Sequence, residues 1–255
     1  MKLSACIEWQ FGDETVGLPD RIRAASKAGI DLVEFHLWRD KDVDGIAEAL
    51  EETGSKLTGF CVDPRRSIVD PAQHAEMLEA VRGTLEAAVR LGSPPLIVAS
   101  GFLREGVSLE EHRAEAVKVL REAARLAEEA GVTLVLEPLN TKVEHPGMYL
   151  DSTRLALDIV EEIGSPRLKV LYDVYHSLVM GEDLKAVLEG RMHLIEHVQV
   201  ADMPGRNEPG TGEIDWKRVV ADLKDLGYVG ALGLEYRPTL PALESLAKTR
   251  EALGV

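Results

Sequence analysis

The stretch VTLVLEPLN, residues 132–140, decides how the rest of the chain is read. It follows an amphipathic segment, 109–130, that closes at Ala130-Gly131, where glycine can take the left-handed turn that ends a helix. The run itself is short, apolar and β-branched, and it breaks at a proline, the pattern of a buried strand. Leu134 and Leu136 fall on one face, Val135 and Glu137 on the other. A strand apolar on both faces belongs in a parallel sheet covered by helices, yet this one ends on a carboxylate.

The same unit recurs in both directions. Strand patterns stand at 3–9, 31–37, 56–62, 95–100, 132–138, 168–174, 194–201 and 230–236. Helical patterns lie near 18–28, 43–53, 71–91, 109–130, 151–163, 182–189, 215–226 and 240–253. Glycine follows several helices, in AGI (28–30), TGS (53–55), LGS (91–93) and LGY (226–228), and Asp70-Pro71, Ser108, Asp151-Ser152 and Asp215 mark helix starts. Strict alternation over 255 residues predicts a single (β/α)8 TIM barrel, domain 1–255. An open doubly wound sheet is the alternative, but no G-x-G-x-x-G turn follows the first strand.

Composition narrows the function. Against 29 Lys and Arg stand 44 Asp and Glu, a net charge of −15 with no basic block. That argues against nucleic acid and anionic membrane surfaces, which need clustered positive charge. Two cysteines, Cys6 and Cys61, both in strand patterns, predict a reduced cytoplasmic setting without disulfides. MKLSACIEWQF at the N-terminus is too short and polar for a signal peptide, and no run reaches membrane-spanning length. Amides are scarce: Asn140 and Asn207, Gln10, Gln73 and Gln199. An amide kept in such a sequence is expected to have a task.

In a barrel of this kind the C-terminal strand ends carry the chemistry. Consecutive strands here end with Glu137, Asp173, Gln199 and Glu235, each about one βα unit apart. Alternation points them inward. Three carboxylates crowded into one mouth repel strongly unless a cation joins them or interior ion pairs with Lys169 or His197 form. Oxygen-only ligation, with Gln199 offering its carbonyl, favours Mg²⁺ or Mn²⁺ over Zn²⁺. His197 shares a face with Gln199 but lies about 6.6 Å lower along the strand, and is expected to be a hydrogen-bonded floor residue.

EPLN (137–140), YDVYHS (172–177), HVQVADMPGRNEPGTGEIDW (197–216) and GYVGALGLEYRP (227–238) resemble hydroxypyruvate isomerases, within the xylose isomerase-like (β/α)8 superfamily of sugar isomerases and epimerases. The N-terminal half matches mainly in layout, apart from AASKAGIDLVEF (24–35). The resemblance implies that Glu137, Asp173, Gln199 and Glu235 bind one divalent metal. It implies that Glu137 and Glu235 also move protons, and that His176 and Arg206 contact substrate. Related ketose 3-epimerases carry histidine where this chain has Gln199, which leans the reading toward the hydroxypyruvate branch.

The expected reaction is hydroxypyruvate to tartronate semialdehyde through an enediolate, with Glu235 as base, Glu137 moving the oxygen-bound proton and Arg206 clamping the substrate carboxylate. The partner is a small molecule, hydroxypyruvate or a small ketose; a homo-oligomer is compatible with the sequence. The rivals are a ketose 3-epimerase, an apurinic endonuclease and a non-catalytic sugar-binding protein. His145 and Asn140, in the loop after the fifth strand, are further candidate substrate contacts, with Lys142 beside them. His74 and His112 are expected on solvated helix faces, His193 below the barrel. Glu8 and Glu34 are expected in interior networks; His36, Trp9 and Trp38 are candidates for the pocket wall.

Overall fold

Strand pairing runs in chain order, each strand bonded to the next and the last to the first, so eight parallel strands close into a barrel. The structure, a computed structural model, describes residues 1–12 and 15–255. The strands are β1 (Leu3–Cys6), β2 (Leu32–Glu34), β3 (Lys56–Cys61), β4 (Leu96–Val98), β5 (Leu134–Leu136), β6 (Leu168–Asp173), β7 (Ile195–Gln199) and β8 (Leu232–Leu234). Each falls inside its predicted run but is shorter by one to four residues.

Outside them lie α1 (Leu18–Lys27), α2 (Val43–Thr53), α3 (His74–Arg90), α4 (Leu109–Ala130), α5 (Thr153–Ile163), α6 (Val174–Met180), α7 (Leu184–Leu188), α8 (Trp216–Asp225) and α9 (Ala242–Leu253). Ser108 and Glu111 form a capping box on α4, and Ser152 and Asp215 cap α5 and α8. Asp70 starts only a 3₁₀ turn at Pro71–Gln73, and α3 begins after it. Helix α6 is absent from the sequence-based pattern. Asp173 creates it: the residue ends β6 and, through its Oδ1, accepts the His176 N–H at 3.2 Å. One residue therefore closes a strand and caps the next helix. No described helix is long and apolar enough to cross a membrane.

The barrel interior divides into two halves. Cys61, Ile97, Val135 and Leu171 form an apolar cluster on β3 to β6, separate from the main core between barrel and helices. The other half is polar. Ser4 and Thr58 share a hydrogen bond of 2.6 Å, and Thr58 donates to Glu34 at 3.1 Å. His197 meets the same Glu34 oxygen at 2.7 Å, and Gln199 Nε2 donates to the other at 2.9 Å. A buried carboxylate is tolerable when its oxygens are bonded in this way.

Gly233 leaves room for that network. A Cβ there would lie 2.6 Å from both Glu34 Oε2 and His197 Nε2. Gly233→Ala should therefore cost roughly 1–3 kcal/mol, the range for overpacking a tight interior. Thermal unfolding reads this as a lower Tm; an unchanged Tm would mean that the network relaxes freely.

Candidate active site

The strand ends bring the four predicted residues together. Glu137 follows β5 directly, its N–H bonded to Val98 at 3.0 Å. Asp173 and Gln199 end β6 and β7 in direct register, and Gln199 pairs with Gly233, two residues before Glu235. All four are buried. Glu137, Asp173 and His176 each place one ligand-type atom within 4.8 Å of the others.

Orphaned atoms test whether a cation fits. Among the described residues, Asp173 Oδ2 and Gln199 Oε1 are buried without any hydrogen-bond partner. Gln199 has no freedom in this: its Nε2 is spent on Glu34, so its carbonyl oxygen faces away from that bond. A buried acceptor left without a donor costs roughly 1–3 kcal/mol, and here two such acceptors, one carboxylate and one amide oxygen, belong to neighbouring strand ends beside a second carboxylate, Glu137. Oxygen atoms in this arrangement fit a hard divalent cation.

The tautomer of His176 presents a donor to the site rather than a ligand lone pair. Its Nδ1 accepts the Asn140 backbone N–H at 3.0 Å, which can only donate, and the Asn140 amide lies 2.7 Å away. That amide is oriented by its oxygen, which accepts from Val143 and Glu144 N–H at 3.0 and 2.9 Å. Nδ1 therefore carries no proton, and neutral His176 carries it on Nε2. Nε2 is buried, unpartnered and 3.7 Å from Asp173 Oδ2. Burial, with the Arg206 charge, pushes His176 well below the ordinary imidazole range.

The carboxylates differ in their hold on protons. Burial, then the charges of Glu235 and Asp173, raise Glu137 well above the usual range. Burial raises Asp173 to about 7, against the Arg206 charge. Burial opposes charge on Glu235 too, but Arg206 and His36 outweigh it and hold the group well below the usual range. Arg206 Nη2 lies 2.6 Å from Glu235 Oε2, and His36 Nε2 lies 2.9 Å from Oε1. Arg206 also faces Glu144 at 3.5 Å and Asp173 at 3.7 Å, with the Trp9 and Tyr175 rings at 5.4 Å.

The site opens into a cavity of about 600 Å³, walled by Trp9, His36, His145, Arg206 and the loops after β3 and β4. The His145 ring lies 5.5 Å from that of His176, tilted by 50°, and lines the cavity. Asn140 departs from expectation. It is fully buried and makes no wall; all its polar atoms are used to orient His176 and the loop, so it positions rather than contacts substrate. Lys142 turns away to the Met180 carbonyl.

Other expectations hold or fail in turn. His112 is fully buried rather than solvated, held between Ser108 O and Arg104 N–H and stacked on Tyr149. His74 is partly buried against the Ile68 carbonyl. Glu8 pairs with Lys41, and Trp38 bonds Thr84. Arg65, which is not among the candidates above, lines the cavity from the loop after β3. The signal was available: DPRRS, 63–67, places two arginines at a strand's C-terminal end in an acidic chain.

The family described as a xylose isomerase-like TIM barrel matches residues 22–253. The chain is 30% identical to a human protein named putative hydroxypyruvate isomerase, over 98% of this chain and 94% of that one. It is 29% identical to a 2-oxo-tetronate isomerase of Cupriavidus necator, over 92% and 93%. A solved structure described as an AP endonuclease, family 2, from Brucella melitensis superposes with a TM-score of 0.89 at 29% identity, covering 96% of each chain. The chain belongs to the xylose isomerase-like TIM-barrel family and, within it, to the hydroxypyruvate isomerase family; it is an isomerase.

The raised carboxyls set a pH dependence. With Asp173 at about 7 and Glu137 also raised, the folded metal-free site keeps protons that the unfolded chain has released above its ordinary values of 3.8 and 4.5. Stability from these groups is present in acid and lost as pH rises through 7. Glu235 acts oppositely, but its window lies below 4.5. Asp173→Asn should raise the Tm of chelator-treated protein at about pH 8 by a few degrees and flatten its fall from about pH 5.5. Mn²⁺ should raise the Tm of the parent protein alone. A variant as pH-sensitive and as Mn²⁺-stabilised as the parent would contradict this.

Proposed function

We propose that this isomerase interconverts hydroxypyruvate and tartronate semialdehyde by moving one proton between C3 and C2 through an enediolate. The observation that carries the reading is the meeting, in one buried mouth, of two glutamates with opposite hold on protons and a neutral histidine donor. Groups whose surroundings push their proton affinities apart are suited to divide acid and base work.

Glu235, kept ionised by Arg206 and His36, takes a C3 proton and returns it to C2 on the same face. Arg206 holds Glu235 in the resting site; when substrate oxygens draw that guanidinium, Glu235 becomes the stronger base. Its duty therefore lies at the reacting carbons, with Glu235, rather than at the substrate carboxylate. Glu137, across the mouth, holds a proton more readily and carries the oxygen-bound proton from O3 to O2. His176 donates its Nε2–H to the oxygen that gains charge, as a neutral donor that need not ionise. Glu137, Asp173, Gln199 and Glu235 would hold a Mg²⁺ or Mn²⁺ ion, which supplies Lewis-acid polarisation of the carbonyl when bound.

Relatives named hydroxypyruvate isomerase and 2-oxo-tetronate isomerase support an acid substrate, and the net charge of −15 favours a small ligand over nucleic acid. The cavity of about 600 Å³ also supports a second reading, a four-carbon 2-oxo acid undergoing the same proton transfer.

In D₂O, turnover should place deuterium on substrate carbon. Glu235→Gln, with its metal content checked, should abolish that exchange and lower kcat by roughly 10²–10⁴-fold. Retention of most activity by this variant would remove Glu235 as the base.

A further inference from the structure

The cavity wall carries guanidinium charge that the protein does not neutralise. Arg66 pairs with Glu76 at 2.5 Å, and Arg206 with Glu235 at 2.6 Å. Arg65 lines the same cavity and, among the described residues, forms no ion pair with a carboxylate; its side chain meets Cys61 Sγ at 4.0 Å. Arg104, on the loop after β4, lines the same cavity, makes no ion pair, and has a buried Nε without a partner. These statements hold among the described residues. The carboxylates nearby are committed elsewhere: Asp70 accepts from Ala72 and Gln73, and Glu144 faces Arg206 and Arg237.

In a chain with 44 acidic and 29 basic side chains, two unmatched arginines on one concave wall run against the average. Arg65 lines the same cavity as Glu137 and Glu235 and lies within electrostatic reach of both. A planar guanidinium with free N–H groups is shaped for a carboxylate, which it can bind through two parallel hydrogen bonds.

We propose that Arg65, with Arg104 adding positive charge from the adjacent loop, is the receptor for the substrate carboxylate and selects acids over neutral ketoses. The inference rests on the isomerase reading above and names the group that sets its substrate class. Arg206 cannot readily fill that place, because Glu235, Asp173 and Glu144 already surround its terminal nitrogens.

The test compares Arg65→Gln, Arg65→Lys and Arg104→Gln with the parent, using hydroxypyruvate and its neutral counterpart dihydroxyacetone. Arg65→Gln should raise KM for hydroxypyruvate and lower the hydroxypyruvate-to-dihydroxyacetone ratio of kcat/KM by about 10–100-fold, the loss expected for a charge-assisted pair. Arg65→Lys should recover part of it, and Arg104→Gln should show a smaller loss. Calorimetric binding of glycerate, with glycerol as the neutral control, gives a readout free of turnover. If the parent fails to turn over hydroxypyruvate yet binds glycerate through Arg65, the proposed reaction falls and the carboxylate receptor stands. If the parent turns over hydroxypyruvate while Arg65→Gln keeps KM and glycerate affinity within about two-fold, Arg65 is not the receptor.

Discussion

Three carboxylates share the buried mouth of this barrel, and their mutual repulsion is the constraint around which the site is arranged. Burial leaves little water to screen them, and bringing like charges together in low dielectric is costly. The structure answers the repulsion unevenly. Glu235 receives Arg206 and His36; Asp173 spends one oxygen on the start of α6 and keeps the other bare; Glu137 is left to hold its proton. That unevenness separates base from acid, and it leaves the bare oxygens that a cation would join.

The polar half of the barrel interior serves the same end from below. Glu34 accepts from Gln199 on one oxygen and meets His197 on the other, so the Gln199 amide has a single orientation. Gly233 makes room for both partners. Asn140 does for His176 what Glu34 does for Gln199: it commits one face of the ring and so determines what the other face offers. Of the scarce amides, Asn140 thus orients and Gln199 is oriented, and the apolar cluster of Cys61, Ile97, Val135 and Leu171 supplies the dry remainder.

Much of this was legible in the sequence, because local patterns carry it. The barrel follows from alternating strand and helix periods, and the four strand ends from their spacing. The choice of Gln199 over His197 followed from height along one strand, and the structure seats His197 on Glu34 below. What escaped depends on contacts between distant segments. Helix α6 hides because Asp173 serves two elements at once. His112 sits among charged neighbours in sequence, yet its ring packs on Tyr149, a residue supplied by a loop far along the chain. The bond from Asn140 to His176 hides as well, because it joins the loop after β5 to a helix that the local pattern does not display. Arg65 matters through what it lacks, a carboxylate partner, and no sequence window displays that.

In the proposed cation site the strand-end oxygens are the ligands and His176 stands apart as a donor. The most direct test of this arrangement is a crystal structure of the protein with Mn²⁺, located by anomalous scattering. The account predicts one ion bound by Glu137, Asp173, the Gln199 carbonyl oxygen and Glu235, with His176 Nδ1 still on Asn140 and Nε2 outside the coordination sphere. An ion ligated by His176 Nε2, or one that leaves Gln199 untouched, would contradict it.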